Sequence, residues 1–544
     1  MTLNASGPIS LGGATTGQSV NLELGTSATA TVSLNDAHVR VLTNTTAGTT
    51  VSLPTNFYGQ TYIAPTATYL YTTNVAPSGP NPDIQFPSVG SVSDASGNTY
   101  FVGTYYNATS PNSYIGAAKI NSAGAIVWQK YYTLGYAAQV YGQGMATGTV
   151  RVVLDASNNL IFGYYNSTSP NNSPGIIKID SNGTFVWAKE HVMPGTDYGF
   201  SGGVQTDGSG NLYAVGTGRY SGTTGTHVTK YNSTGTVLWQ KFLTTPNFQG
   251  YGFVTDSSGN TYIYGSTDQS LYSSTLAQAT ITKLDTNGST LWSKYYVATA
   301  SGYPGANVSF QYFSAGAISS SGDLYCSGLA RYYNSSSGFY DGYISTAKIN
   351  TSTGALDAVT AQKARTSSPN NTRPYSLVTD SSNNVYVSVP FCDPRSTPGY
   401  FNYSNALFKL TSTLASVAYQ YRFTTLNNNT TYNFYNGVRP AYVAINKNSL
   451  VFWDNPAASG SPTYGPAIYR LPNDGSYFGS DRYFYPPATT TGYLWPDAPS
   501  FPTDSTYALT ANTTTPANAA ISWSATSKSP GTSTMAFTAL TTTY

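Results

Sequence analysis

Short runs of alternating apolar and polar residues, broken by clusters of Asp, Ser, Gly and Asn, recur along most of this chain. One unit reads Val92-Ser-Asp94-Ala-Ser-Gly97-Asn98-Thr-Tyr100, and copies turn on Asp155, Asp207, Asp256, Ser319, Asp380 and, in a shortened form, Asn446. A period of two on either side of a tight polar turn predicts a β-hairpin. A second unit follows each of the first. Lys119-Ile-Asn-Ser-Ala-Gly124 leads to Trp128 and Lys130, and the same pattern ends in Trp187, Trp239 and Trp292. Lys348-Ile349, Lys409-Leu410 and Arg470-Leu471 begin degraded copies that lack the Trp. This is a second hairpin.

Two hairpins make four strands, the content of one propeller blade, so seven copies predict an all-β, seven-bladed β-propeller. The turns recur every 49–66 residues, longer than the roughly 40–50 of compact propeller repeats, which places the surplus in connecting loops. Tyr69-Leu-Tyr71-Thr-Thr73 precedes the first unit at the spacing of a fourth strand without a blade of its own. It is a candidate to close the ring on the seventh blade, in competition with Tyr477 to Tyr485. The recurring Asp residues are read as Asx-turn acceptors in preference to calcium ligands. The four Trp residues are read as packing between blades.

These residues resemble the bacterial SBBP β-propeller repeat, with its Asp-x-x-Gly-Asn-x-Tyr turn and its Lys-x-Asp-x-x-Gly hairpin ending in Trp. The resemblance spans about residues 90–480 and is closest in the first four copies. It implies a fold and carries no catalytic residues.

Composition narrows the function. Charged residues are 8% of the chain and the net charge is +2, too neutral for binding nucleic acid through its phosphates. There are 48 Tyr, and Glu occurs only at Glu23 and Glu190. Cys326 and Cys392 form no disulfide framework or zinc cluster, and whether they pair stays open. No apolar run approaches the ~20 residues of a membrane span. The first ten residues do not read as a secretory signal.

Three parts are expected: 1–60, 61–486 and 487–544. In the first, Ser33 to Leu42 is compatible with a short helix capped by Asn35 or Asp36. Ser6-Gly-Pro-Ile-Ser-Leu11, Val20-Asn-Leu-Glu23-Leu-Gly25, Ser27-Ala-Thr-Ala30, Ser33-Leu-Asn-Asp-Ala37, Val39-Arg40 and Asn56-Phe57-Tyr58-Gly59 resemble as a set the opening segment of tailed-bacteriophage (cyanophage-like) virion and tail fibre proteins. Gln60 stands where those proteins carry a basic residue, and His38 where they carry a small one. The resemblance implies a virion component attached to other virion proteins through residues 1–60, too few to bury a core of their own. The chain would then be assembled in the host cytoplasm and repeated as a homo-oligomer in the particle. The Thr-, Ala- and Pro-rich part from 487 predicts a short β appendage, free-standing or added to a neighbouring subunit.

Catalysis finds little support. Glu190, Asp197, Asp268, Asp341 and Asp393 are scattered singly over predicted loops. His191 beside Glu190 reads as a solvated pair, and His38 and His227 have no evident partner. No nucleophile elbow, phosphate loop, metal motif or cofactor motif is present, and a non-enzyme is expected. Binding has a geometric case. The tight turns fall after strands one and three of each blade, on one face, and the long insertions fall on the other. Those insertions carry Tyr105, Tyr106, Tyr164, Tyr165, Tyr332, Tyr333, Tyr400 and Tyr403, with Tyr432 to Tyr435. Tyr combines a flat apolar face with a hydroxyl at little entropic cost, which suits a host surface polysaccharide or receptor. The competing reading is that these rings pack on one another. The chain therefore reads as a virion protein, a tail fibre or baseplate appendage. A capsid or tail decoration subunit and a cell-surface adhesin are the alternatives.

Overall fold

The computed structural model describes the strands named below, most of the tight turns between them, and two short strands, Ala138–Gln139 and Tyr198–Gly199, which pair with Leu160–Asn166 and Leu212–Tyr220. In the N-terminal segment it describes residues 3–24, 27–34, 39, 42–43 and 50–59. The longer connections, among them 107–112, 140–151, 394–401, 425–438 and 473–494, lie outside the described residues, as do Tyr400, Tyr432 to Tyr435 and Tyr477 to Tyr485.

The described strands form seven antiparallel sheets. The first sheet runs Ser88–Ser93, Thr99–Tyr106, Ser113–Ile120 and Ile126–Thr133. The second runs Val152–Leu154, Leu160–Asn166, Ser173–Ile179 and Phe185–His191. The third is Val204–Thr206, Leu212–Tyr220, Thr223–Tyr231 and Val237–Leu243. In the fourth, Gln249–Thr255, Thr261–Ser266, Ala279–Leu284 and Thr290–Ala300 follow one another. The fifth has the longest strands, Val308–Ile318, Leu324–Asn334, Phe339–Ile349 and Leu356–Arg365. The sixth contains Ser376–Thr379, Val385–Asp393, Asn402–Leu410 and Val417–Thr424. The seventh contains Arg439–Asn446, Ser449–Asn455 and Ala467–Pro472.

The first strand of each sheet packs on the first strand of the next, and that of the seventh packs on that of the first. The arrangement is a β-propeller. Thr66–Thr72 completes the seventh sheet by pairing with Ala467–Pro472, Tyr69 opposite Ala467. The segment before the repeats therefore closes the ring.

The expectation of four-stranded units with a separate C-terminal appendage is corrected. Six sheets carry a further strand on the outer edge, all from the C-terminal segment. Trp495–Pro496 joins the sixth sheet, Tyr507–Thr513 the fourth and Asn518–Ala520 the third. Ala525–Lys528 joins the second, Gly531–Thr534 the first and Phe537–Thr543 the seventh. The physical reason is complementarity. An outer strand presents unpaired N–H and C=O groups, and a Thr/Ala-rich segment has too little apolar surface to fold on itself.

The core lies between sheets. Tyr100, Val102, Ile115 and Tyr132 of the first sheet pack with Leu160, Phe162, Ile177 and Ala188 of the second, all fully or nearly fully buried. Each buried aliphatic side chain contributes about 1.5–3 kcal/mol. The fourth strand of sheets one to six carries a β-bulge, which leaves Val127, Val186, Leu238, Leu291, Asp357 and Ala418 unpaired in the register. Val127, Val186, Leu238 and Leu291 are about half exposed, and the residue after each is the Trp. A bulge shifts the alternation by one, and the Trp of each of these strands meets the next sheet.

The N-terminal segment departs from expectation. Leu3, Val20, Val39, Leu42 and Phe57 are buried against one another, flanked by Ile9, Leu11, Leu24, Val32, Leu34 and Val51. Residues 1–60 thus have a small core of their own. A four-residue helix, Val20–Glu23, is capped by the Ser19 hydroxyl. Val39, Leu42 and Thr43 are helical, and the Thr43 hydroxyl donates to the Val39 carbonyl one turn back.

Candidate functional site

On the tight-turn face the recurring Asp is occupied by its own turn. Asp94 Oδ1 accepts from the Ser96 and Asn98 amides at 3.0 and 2.9 Å, and Oδ2 accepts from Asn98 Nδ2 at 2.8 Å and the Tyr100 hydroxyl at 3.3 Å. Asp207, Asp256 and Asp380 repeat this pattern. The conformation needs a left-handed residue, Gly97 at φ 90° in the first sheet, and Asn158 and Asn383 take that place in the second and sixth. In the fifth sheet Ser319 replaces the Asp, and the carboxylate moves four residues on to Asp323.

The repeated Lys completes the unit. Lys178 meets Asp155 at 2.7 Å and Lys348 meets Asp323 at 2.9 Å. Lys119, Lys230, Lys283 and Lys409 lie 4.9–5.2 Å from the ring centroids of Tyr100, Tyr213, Tyr262 and Tyr386. Burial alone would raise the Asp155 carboxyl, but the Lys178 ammonium and the Asn159 donors hold it below its ordinary value. Asp207 and Asp323 are lowered against the same penalty, the first mainly by Asn211 and the second mainly by Lys348. Burial raises the Lys283 cost of charge and lowers its pKa. The Lys role was visible as a repeat but not as chemistry, because the pairing spans two hairpins.

The Trp residues latch one sheet to the next. Trp128 Nε1 donates to the Ser181 carbonyl at 2.9 Å, Trp239 to Thr286 at 3.0 Å and Trp292 to Thr351 at 3.1 Å. Each ring lies over the turn glycine of the following sheet. A Cβ added at Gly183 would come within 2.9 Å of Trp128, and one at Gly235 within 3.3 Å of Trp187. Sheet five has Ala358 where the Trp would be, and sheet six has Leu414 where the Gly would be. Leu414 is buried at φ 59° and packs with Ala358.

The opposite face holds the candidate Tyr residues, and most stand in strands, not loops. Tyr105 is opposite Tyr114, Tyr106 opposite Ser113, Tyr332 opposite Asp341 and Tyr333 opposite Tyr340. Tyr164 pairs with Gly175 and Tyr165 with Pro174, and Tyr403 pairs with Cys392. All seven lie at the end of their sheet away from the Asp turns. Tyr164 is buried, its ring over Gly175. Tyr is also the main large side chain of the core: Tyr231, Tyr251, Tyr264, Tyr296 and Tyr312 are all buried, Tyr251 and Tyr312 ring to ring at 5.5 Å. Composition alone could not separate these two uses of Tyr.

The acidic candidates are corrected in place. Glu190 is buried in Phe185–His191, opposite Gly175 and Thr526, and His191 is opposite Ala525, so the pair belongs to a strand and not to a solvated loop. Asp341 and Asp393 lie in strands Phe339–Ile349 and Val385–Asp393. His227 is buried within Thr223–Tyr231. Asp197, Asp268 and His38 lie outside the described residues. Cys326 is buried in the fifth sheet and takes part in no disulfide, and Cys392 stands in the sixth, so the two do not pair. Among the described residues no cluster of His, Cys, Asp and Glu is arranged to hold a metal, and no helix is long and apolar enough to cross a membrane.

No protein-family model matches the chain, and no curated protein does. Among solved structures the chain is similar to a luciferin-regenerating enzyme, at 13% identity and TM-score 0.29 over 76% of this chain and 96% of that one. A eukaryotic initiation factor is similar at 9% identity and TM-score 0.27, over 75% of this chain and 96% of its own. The Bombyx mori GH32 beta-fructofuranosidase is similar at 9% identity and TM-score 0.27, over 72% and 90%. What those proteins do does not transfer to this chain at such distances.

Proposed function

We propose that this chain is a structural virion protein of a tailed bacteriophage. In this reading each of the seven sheets is one blade of an SBBP-type propeller, and residues 1–60 join it to other virion proteins. The chain stands as a tail fibre or baseplate appendage in several copies, does no chemistry of its own, and meets host surface polysaccharide or receptor with its Tyr-bearing face. The observation that carries the reading is the difference between the two faces. On one, carboxylates, ammonium groups and indoles are spent on turns and on sheet-to-sheet latches. At the other end of the sheets lie the strand ends that carry Tyr105, Tyr106, Tyr332 and Tyr333, and the far ends of a rigid scaffold commonly carry function.

The buried ring of Tyr164 favours the second reading, a decoration subunit whose Tyr residues serve packing alone. Antibody labelling of intact particles tests the common part. Label on the tail or its appendages supports the first reading and label on the capsid supports the second. Particles without label would remove both.

A further inference from the structure

The C-terminal strands visit the sheets in the order six, four, three, two, one, seven, against the direction in which the body was laid down. From Tyr507 onward they are separated by only two to four residues, so each step moves to a neighbouring sheet. All pair antiparallel with the outermost strand of the body: Lys294 opposite Thr513, Lys241 opposite Ala520, Lys189 opposite Ser527 and Lys130 opposite Thr534. The same Lys of the repeat is thus met in four sheets by a small residue. The donors are Thr, Ala, Ser and Asn for the most part, so the acceptor edges select a backbone and small side chains, not a particular motif.

We propose that the outer rim of the propeller is a strand-acceptor surface and that residues 495–543 are its donor. The donor is a clasp held by backbone pairing, and the rim takes the same segment from a second copy of the chain as readily as from its own. Two observations support delivery from a neighbour. Every copy carries identical edges. The stretch between Pro472 and Trp495 is long enough that, fully extended, it would span about 70 Å, a distance that reaches a neighbouring rim. Exchange of an identical element is a low-cost route to assembly. The inference goes beyond the proposed function and does not depend on which particle, if any, the chain belongs to.

The test uses the full chain with a protease site placed between residues 480 and 490, cut only after folding. The released segment is expected to remain bound through gel filtration. An excess of labelled 495–544 polypeptide is expected to replace it at one label per propeller. A segment that dissociates on cutting with no change in melting temperature overturns the clasp. One that stays bound but never exchanges with the labelled copy overturns delivery in trans. In the uncut chain, replacing Leu509 and Thr510 together with Pro removes a ladder donor whichever residue faces the edge. Amide exchange across Val297 and Ala298, their partners, is expected to rise by about tenfold or more. Unchanged exchange there would contradict the pairing itself.

Discussion

At Ala358 and Leu414 the chain has traded one latch for another. Four sheets place a Trp against the next turn's Gly, and the fifth places Ala358 against a Leu held in a left-handed conformation that costs a non-glycine residue on the order of 1 kcal/mol or more. Burial of the Leu side chain, about 1.5–3 kcal/mol, offsets the strain. Ala358→Trp alone is expected to destabilise by overpacking against Leu414, and Leu414→Gly alone by leaving a cavity, each by about 1–3 kcal/mol. Combined, they rebuild the Trp-on-Gly contact, and urea unfolding of the double variant should show less loss than the sum by at least ~1 kcal/mol. Simple additivity would mean that the two positions are not coupled. The same turns set the response to acid. Asp155, Asp207 and Asp323 titrate below the ordinary value of 3.8 in the folded chain. Their contribution is therefore complete above that value and is lost as pH falls through their folded values. At the other end, burial pushes Tyr213 up to about 12 from 10.0, against the hydrogen bond from Thr286. Ionisation in the unfolded chain then erodes stability above pH 10. Thermal melting across pH should be level between these limits, and a maximum inside them would contradict the assignment.

Hairpins were the most legible elements, because turn chemistry and period agree at each copy. Val92 to Tyr100 and Lys119 to Trp128 fall on paired strands as read. Legibility failed where one residue type serves two purposes. Tyr164 was read as a surface candidate, yet it is core, and the reason lies in Gly175, the partner opposite, which leaves room for the ring. Strand ends also ran further than the turn signals implied, so Tyr332 and Tyr333 belong to an eleven-residue strand. The two uses separate by mutation. Tyr164→Ala should cost about 3 kcal/mol or more, as large core truncations do. If the proposed function holds, replacing Tyr105, Tyr106, Tyr332 and Tyr333 with Ala should leave melting within ~1 kcal/mol and reduce adsorption to host cells. Strong destabilisation by the fourfold change would place those rings in the core too, and normal adsorption at normal stability would remove them from any receptor surface.

For the whole molecule the propeller arrangement followed from spacing, and Thr66–Thr72 belonged to one of two candidates for the closing strand, whereas the strands beyond 494 did not follow. Their partners lie up to several hundred residues upstream, and a Thr/Ala-rich segment carries no mark of which edge it will meet. The N-terminal segment was underestimated for a similar reason: Leu3, Val20, Val39 and Phe57 show no period and meet only in three dimensions. That small core predicts that the N-terminal segment holds together apart from the propeller. Deletion of residues 1–60 is expected to leave the main melting transition within a few degrees and, on the proposed function, to abolish incorporation into particles. A large fall in the main transition would show that the segment is part of the propeller instead.

The reversed path of the last strands also has a consequence in time. The first sheet is complete in its own strands by residue 133 but receives its outer partner only at residues 531–534. At ~5–20 residues per second, the nascent sheet waits roughly 20–80 s with a bare edge. The sixth sheet, made last but one, waits for about 70 residues only. Sheets born earliest are thus the longest at risk of pairing with a neighbouring nascent chain on the same message. The bulges at Val127, Val186, Leu238 and Leu291 interrupt those edges at one recurring place, and an interrupted edge is a poor template for a stranger. A feature that turns the indole toward its latch also guards the ribosome's unfinished product.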